Sequence, residues 1–287
     1  MKPWRQSMKF RIIWKKVSLT PFPKLPASKK LVIGSNSITG KDLHCLDGQN
    51  WLDDSIIHAY LGLLQRERTL LQKNEDFILP CFLMEKWTRR DYLSWLYPKV
   101  KFSSYAFILM AICSNHHWIL LVASMSKKTV LVLDPLGHQH PDIEHKWRKY
   151  MYTRERYIPE GLEKWSSDHQ AVSRQREGNS CGVFVLMYAE AILCNVDIKI
   201  MRQYHVARYR RYIKQRLMDG TKEEDDICQI PFCRKPKSGI WTQCQDCSIC
   251  TYSVRTTTEG KCQRKIISAC CVFGGKNANL YVNVVHP

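Results

Sequence analysis

The chain has 287 residues, 45% of them hydrophobic and 11% aromatic, and its 44 Lys and Arg against 26 Asp and Glu give a formal net charge of +18. That describes a globular chain long enough for one large domain, or a medium one with an appendage, and its charge implies an anionic partner or merely a solvated surface. The longest clean apolar run, Tyr105–Cys113, is about half of what a bilayer span needs, so no transmembrane helix is expected.

Residues Met1–Lys30 hold nine Lys or Arg and no acid, with "PFPKLP" near their end, and residues 1–35 are expected to be a disordered basic extension. Within it Phe10, Ile13, Trp14 and Val17 fall at i, i+3, i+4 and i+7 among basic residues. A nuclear-import or nucleic-acid arm, a presequence, a membrane-surface segment and a solvated tail all fit. No secretory signal is expected at this end, so the 13 cysteines are assigned to a reducing, intracellular compartment rather than to a disulfide framework.

A folded domain is expected over 36–218. "WLDDSIIHAYLGLLQR" predicts a helix with Asp53 as its cap and Ile56, Tyr60, Leu63 and Leu64 on one face. "YAFILMAIC", "WILLVAS" and "TVLVLD" predict strands of a buried sheet. "CGVFVLMYAEAIL" is too long for an ordinary strand and predicts a buried helix. "HVARYRRYIKQRLM" predicts a second helix whose Arg208, Arg210, Arg211, Lys214 and Arg216 form a solvated face. The stretch 219–227 is expected to be an acidic linker, and 228–287 a Cys-rich tail holding eight of the cysteines.

One set of residues can carry chemistry. His116 and His117 precede a strand, Asp134 ends the next one, and Gln175 stands six positions before Cys181, where a glycine-bearing loop enters the buried helix. A histidine can take a thiol's proton, a carboxylate can orient the histidine, and a helix N-terminus favours the thiolate. An amide side chain and the Cys181 N–H can stabilise an oxyanion. Taken singly each residue has a plain alternative: a packed cysteine, a surface histidine, a turn-forming aspartate.

"WLDDSIIHAYLGLL", "HHWILLV", "LVLDPLG" and Gln175 followed by "NSCGVFVLMYAE" resemble, over about 170 residues in one order, the signatures of the ubiquitin-like-protein-specific cysteine proteases. That family removes SUMO, or in one branch NEDD8, from precursors and conjugates. The resemblance implies an α+β, papain-like fold with the nucleophile heading a central helix packed on a small sheet. It assigns Cys181 as nucleophile, His117 as base, Asp134 as its orienting carboxylate and Gln175 to the oxyanion hole. It makes Trp51 and Trp118 the roof of a tunnel over a Gly-Gly tail, the alternative for each being core packing. No cofactor is implied for the chemistry. Ser180 stands where SUMO- and NEDD8-processing members usually carry Asp, a version that occurs in members tied to mobile elements or viruses, and "SMSKKTVL" makes the hairpin between the His and Asp strands basic.

In the tail, "CRKPKSGIWTQCQDC" resembles half of a PHD-type zinc finger, and the spacing suits one zinc on Cys228, Cys233, Cys244 and Cys247 or Cys250. The expected His is missing from the second half, so a degenerate finger or a decayed tail are both open. The function expected is cleavage after the Gly-Gly of a SUMO- or NEDD8-type protein, in the nucleus. The rivals are a viral or mobile-element polyprotein endopeptidase, and an inert protein binding chromatin, histones or nucleic acid.

Overall fold

The computed structural model describes residues 22, 25–33, 36–70, 76–226, 240–243, 250–258 and 261–266. The chain divides into two units, Met1–Gly220 and Thr221–Pro287. In the first, a five-stranded sheet runs in the order β3-β4-β5-β6-β7: Asp76–Ile78, Phe107–Ser114, His117–Ser124, Thr129–Leu133 and Ser166–Ser167. The central pairs β4–β5 and β5–β6 are antiparallel, and the outer strands β3 and β7 add on in parallel. An antiparallel hairpin, β1 (Lys30–Ile33) with β2 (Asn36–Thr39), stands outside it. The boundary expected at 35 falls inside this hairpin, because Leu31 and Ile33 alternate into the core and hold the strand.

Helices cover both faces of the sheet, so β4 and β5 read as continuous apolar runs rather than alternating ones. Leu109, Ala111, Trp118, Leu120 and Val122 face α1 (Asp54–Leu70), α4 (Cys181–Leu193) and α5 (Val206–Asp226). Their neighbours Ile108, Met110, Ile112, Ile119, Leu121 and Ala123 face the other side, against α2 (Leu83–Thr88) and α3 (Pro141–Tyr157). The period of two divides one apolar sequence between two cores. α3 is absent from the elements expected above, although it has Pro at its start, Asp142 and Glu144 in its first turn, and Ile143, Trp147, Tyr150 and Met151 buried on one face.

α1 begins as expected: the Asp53 carboxylate accepts the Ile56 N–H at 2.9 Å, and Ile56, Tyr60, Leu63 and Leu64 are all buried. α4 is buried on nearly every side, as its composition requires. Its Glu190 accepts hydrogen bonds from the Tyr60 and Tyr212 hydroxyls, each at 3.1 Å, from Arg216 at 2.9 Å, and from Tyr209. Four donors from α1 and α5 thus satisfy one buried acid.

α5 departs from expectation twice. Arg210 is only 2% exposed and Arg216 is tied to Glu190 and Glu67, so the basic side chains do not form one solvated face. The helix also runs through the acidic stretch to Asp226, where a linker was expected, because Lys222, Glu223 and Glu224 are strong helix formers. The second unit contains an antiparallel sheet ordered β10-β9-β8: Ile240–Gln243 (β8), Cys250–Thr258 (β9) and Lys261–Ile266 (β10). Among the described residues, no helix is long and apolar enough to cross a membrane.

Candidate active site

β4 and β5 are joined by only two residues, Asn115 and His116, both at positive φ (49° and 60°), the geometry a tight hairpin needs. The turn separates the two adjacent histidines. His116 is spent on the turn, while His117 becomes the first residue of β5, paired with Ser114.

From there the His117 Nε2–H donates to Asp134 Oδ1 at 2.7 Å. Asp134 follows β6 and is almost fully buried. Its Oδ1 also accepts the Leu136 N–H at 2.7 Å, and its Oδ2 accepts from His140 Nε2 at 2.8 Å, with His138 Nδ1 3.3 Å away. Burial by itself would raise the carboxyl's pKa, but the bonds from His117, His140 and the Leu136 N–H outweigh it and hold it below its ordinary value. His140 was not among the expected site residues; its signal was the pair of histidines in "DPLGHQH", four and six positions past the aspartate.

Cys181 is the first residue of α4, and its side chain lies almost wholly beneath the surface. The next residue explains the "CG" pair. A Cβ on Gly182 would lie 3.0 Å from Leu52 Cβ, 3.2 Å from Trp118 Cδ1 and 3.4 Å from Ile57 Cδ1. Only glycine lets the helix start press on Trp118, the neighbour of His117. Cys113 stands opposite Trp118 in the strand register, and burial followed by the charge of Cys181 pushes its thiol's pKa up.

The loop before Cys181 is clamped from several directions. The Gln175 N–H donates to Pro135 O at 2.9 Å, joining the loop to the strand end that carries Asp134. Gln203 accepts the Arg176 N–H at 2.8 Å and donates to Ser180 Oγ at 3.0 Å. Buried Arg210 donates to Asn179 O and to Cys45 O, both at 2.9 Å. Neither Gln203 nor Arg210 was expected at the site, since both come from chain segments well beyond the nucleophile. Ser180 caps α4 without a side-chain bond to the helix, because its buried hydroxyl is engaged by Gln203.

The remaining expected residues fall out as follows. Gln175 Nε2 donates to Glu177 O at 3.1 Å, and its Oε1 is buried without a hydrogen-bond partner among the described residues. Trp118 is buried and donates to Leu52 O at 2.9 Å. Trp51 is 52% exposed, its ring 5.7 Å from that of His116. The two indoles therefore flank the His116–His117 step, one on the surface and one beneath it. Cys228, Cys233, Cys244 and Cys247 lie outside the described residues, and Cys250 opens β9 opposite Gln243. Among the described residues no cluster of His, Cys, Asp or Glu could hold a metal.

A helix headed by cysteine, packed on a sheet whose inner strands carry a paired histidine and aspartate at one end, defines the papain-like α+β fold of the Ulp1 type. Many solved structures share it. The C-terminal Ulp1 protease domain, solved in complex with Smt3, the yeast orthologue of SUMO, aligns over 75% of this chain and 95% of its own with a TM-score of 0.57 at 19% identity. The Chaetomium thermophilum Ulp1-like SUMO protease catalytic domain aligns over 77% and 91%, with a TM-score of 0.60 at 18% identity.

Residues 50–220 match the family described as Ulp1 protease family, C-terminal catalytic domain, and the chain belongs to that family of cysteine proteases. It is 26% identical over 198 residues to human sentrin-specific protease 5, covering 62% of this chain and 24% of that protein. It is 27% identical over 215 residues to ubiquitin-like-specific protease 1A of Arabidopsis thaliana, covering 66% and 42%. The chain thus spans about a quarter of the length of the sentrin-specific protease it matches.

Proposed function

We propose that the chain is a cysteine peptidase that cleaves after the C-terminal Gly-Gly of a SUMO-type protein, in precursors or conjugates, with Cys181, His117, Asp134 and Gln175 as its catalytic residues. The observation that carries this is the 2.7 Å His117–Asp134 pair beside Trp118, which packs directly on the first turn headed by Cys181. The solved neighbours named as SUMO proteases, one of them in complex with a SUMO orthologue, favour SUMO over NEDD8 as the substrate.

His117 Nε2 is engaged by Asp134, which leaves Nδ1 to accept the Cys181 proton. The thiolate attacks the glycyl carbonyl carbon, and the oxyanion is held by the Cys181 N–H and the Gln175 amide once Nε2 swings off Glu177 O. Collapse breaks the C–N bond, and the leaving amine takes the proton from the imidazolium. A thioester remains on Cys181. Water, losing its proton to His117, then attacks the thioester, releasing the substrate carboxylate and the thiol. Asp134, held ionised by its donors, stabilises the imidazolium in both halves of the cycle. No cofactor enters either half. Trp51 and Trp118 flank the path a side-chain-free Gly-Gly tail takes to Cys181.

The test is labelling of the protein and its Cys181→Ala variant with SUMO, NEDD8 and ubiquitin carrying a thiol-reactive C-terminal group. An adduct with SUMO that needs Cys181 supports the proposal. An adduct with NEDD8 instead moves the substrate to the other branch. No adduct from folded protein, together with cleavage of short glycine-containing peptides, establishes the polyprotein-type endopeptidase in its place.

A further inference from the structure

Beside the nucleophile loop lies a recess of about 690 Å³ whose walls include Arg174, Arg176, Arg202 and Arg210 against the single carboxylate of Glu177. The four guanidiniums divide into two kinds. Arg210 is fixed by Asn179 O and Cys45 O, and Arg202 is fixed through Nη1 alone by Ser173 Oγ and the carbonyls of Lys199 and Met201. Arg174 and Arg176 are exposed, and among the described residues no hydrogen bond or ion pair occupies either guanidinium. The Arg174 guanidinium also lies against Gly137 on the loop that follows Asp134, where a Cβ would stand 2.5 Å from its Nε.

Backbone carbonyls account for the placing of Arg202 and Arg210, but in the lining of the recess Glu177 alone offsets the four charges. Elsewhere in the first unit buried or half-buried arginines meet acids: Arg68 with Asp76, Arg154 with Glu160, Arg216 with Glu190 and Glu67. Here four arginines line a concavity with one acid, a surplus of positive charge that an anion would offset. Guanidinium forks match phosphate oxygens two at a time, and two already rigid ones lose little freedom on binding. The recess is also the size of small-molecule sites, about 300–1,000 Å³.

We infer that this recess is a binding site for a compact molecule carrying several phosphate groups, held by Arg174 and Arg176 at the rim and Arg202 and Arg210 at the wall. The inference is independent of the role proposed for Cys181. One wall is Asn179, two residues before that cysteine and tethered by Arg210, so the ligand sits directly behind the loop that leads into α4.

The experiment is calorimetric titration of the full chain with tripolyphosphate at about 150 mM salt, where long-range surface charge is largely screened. Arg174→Glu/Arg176→Glu is compared with Lys99→Glu/Lys127→Glu, an equal change of charge on exposed lysines outside the recess. The expected result is saturable one-to-one binding, weakened about tenfold or more by the arginine pair and about twofold or less by the lysine pair. Should the arginine pair fail to fold, Arg176→Gln, whose guanidinium holds no bond in the fold, is read the same way. Equal weakening by both pairs would assign the affinity to net charge and overturn the inference, as would absence of saturable binding. A tetraglutamate peptide binding as tightly as tripolyphosphate would overturn the phosphate assignment in favour of an acidic peptide.

Discussion

Replacing Gly182 by Ala tests how tightly the start of α4 is pressed on the site. The added methyl would stand 3.0 Å from Leu52 Cβ and 3.2 Å from Trp118 Cδ1. Carbon atoms prefer about 3.5–4.0 Å, so Leu52 must retreat by roughly 0.5 Å and the indole by roughly 0.3 Å. The two are linked by the 2.9 Å bond from Trp118 Nε1 to Leu52 O, so they move together, and His117 adjoins the indole in the chain. Overpacking costs about 1–3 kcal/mol, and the helix gains about 1 kcal/mol from losing a glycine. The net is a loss of about 0–2 kcal/mol, and at about 2–4 °C per kcal/mol the Tm falls by at most about 8 °C. Reactivity suffers more, because a misplacement of about 1 Å can cost about a hundredfold, and a third to a half of that implies about tenfold. The assay is the rate of Cys181 adduct formation with the SUMO probe, beside a thermal melt. Gly62→Ala is the control: its methyl meets only the Asn36 amide nitrogen, the free end of a flexible side chain, and should leave reactivity unchanged. A Gly182→Ala protein reacting at the wild-type rate would refute the argument that this contact positions the site.

Arg210→Met should lower stability by about 1–3 kcal/mol in denaturant unfolding, because the carbonyls of Asn179 and Cys45 lose their donor. It should also slow adduct formation, whereas release of the Asn179 tether with no change in rate would show that the clamp is not needed. His58 carries a pH signature: its Nε2 accepts the Cys81 N–H at 3.3 Å, and burial, opposed by Asp54, lowers its pKa in the fold. A histidine depressed in the folded state contributes stability that is full above its unfolded value of about 6.5 and is lost as pH falls through the folded one. The difference in stability between the wild type and His58→Gln should therefore shrink on acidification from neutrality; a pH-independent difference would place the imidazole in solvent-like surroundings.

The sequence by itself determined the elements whose signals are local. Asp53 announced a cap, the run from Cys181 could only be a buried helix, and the branched apolar stretches could only be strands covered on both faces. The α3 helix carried equally local signals, from Pro141 to the stripe of Trp147 and Tyr150, so it was legible there as well. The order of His, Asp, Gln and Cys, with its flanking words, was enough to name the family.

Tertiary structure alone decided what depends on distance across the chain. The resemblance already pointed to His117; the reason it faces Asp134 and His116 does not is a two-residue turn with positive φ at Asn115 and His116. That His140 shares the same carboxylate, and that Arg210 and Gln203 reach back to the loop before Cys181, are contacts between segments whose separation no periodicity encodes. The arginines of α5 show why. Helical spacing tells which side chains share a face, but whether that face meets solvent, Glu190 or the backbone of a distant loop depends on the neighbours that folding brings beside it.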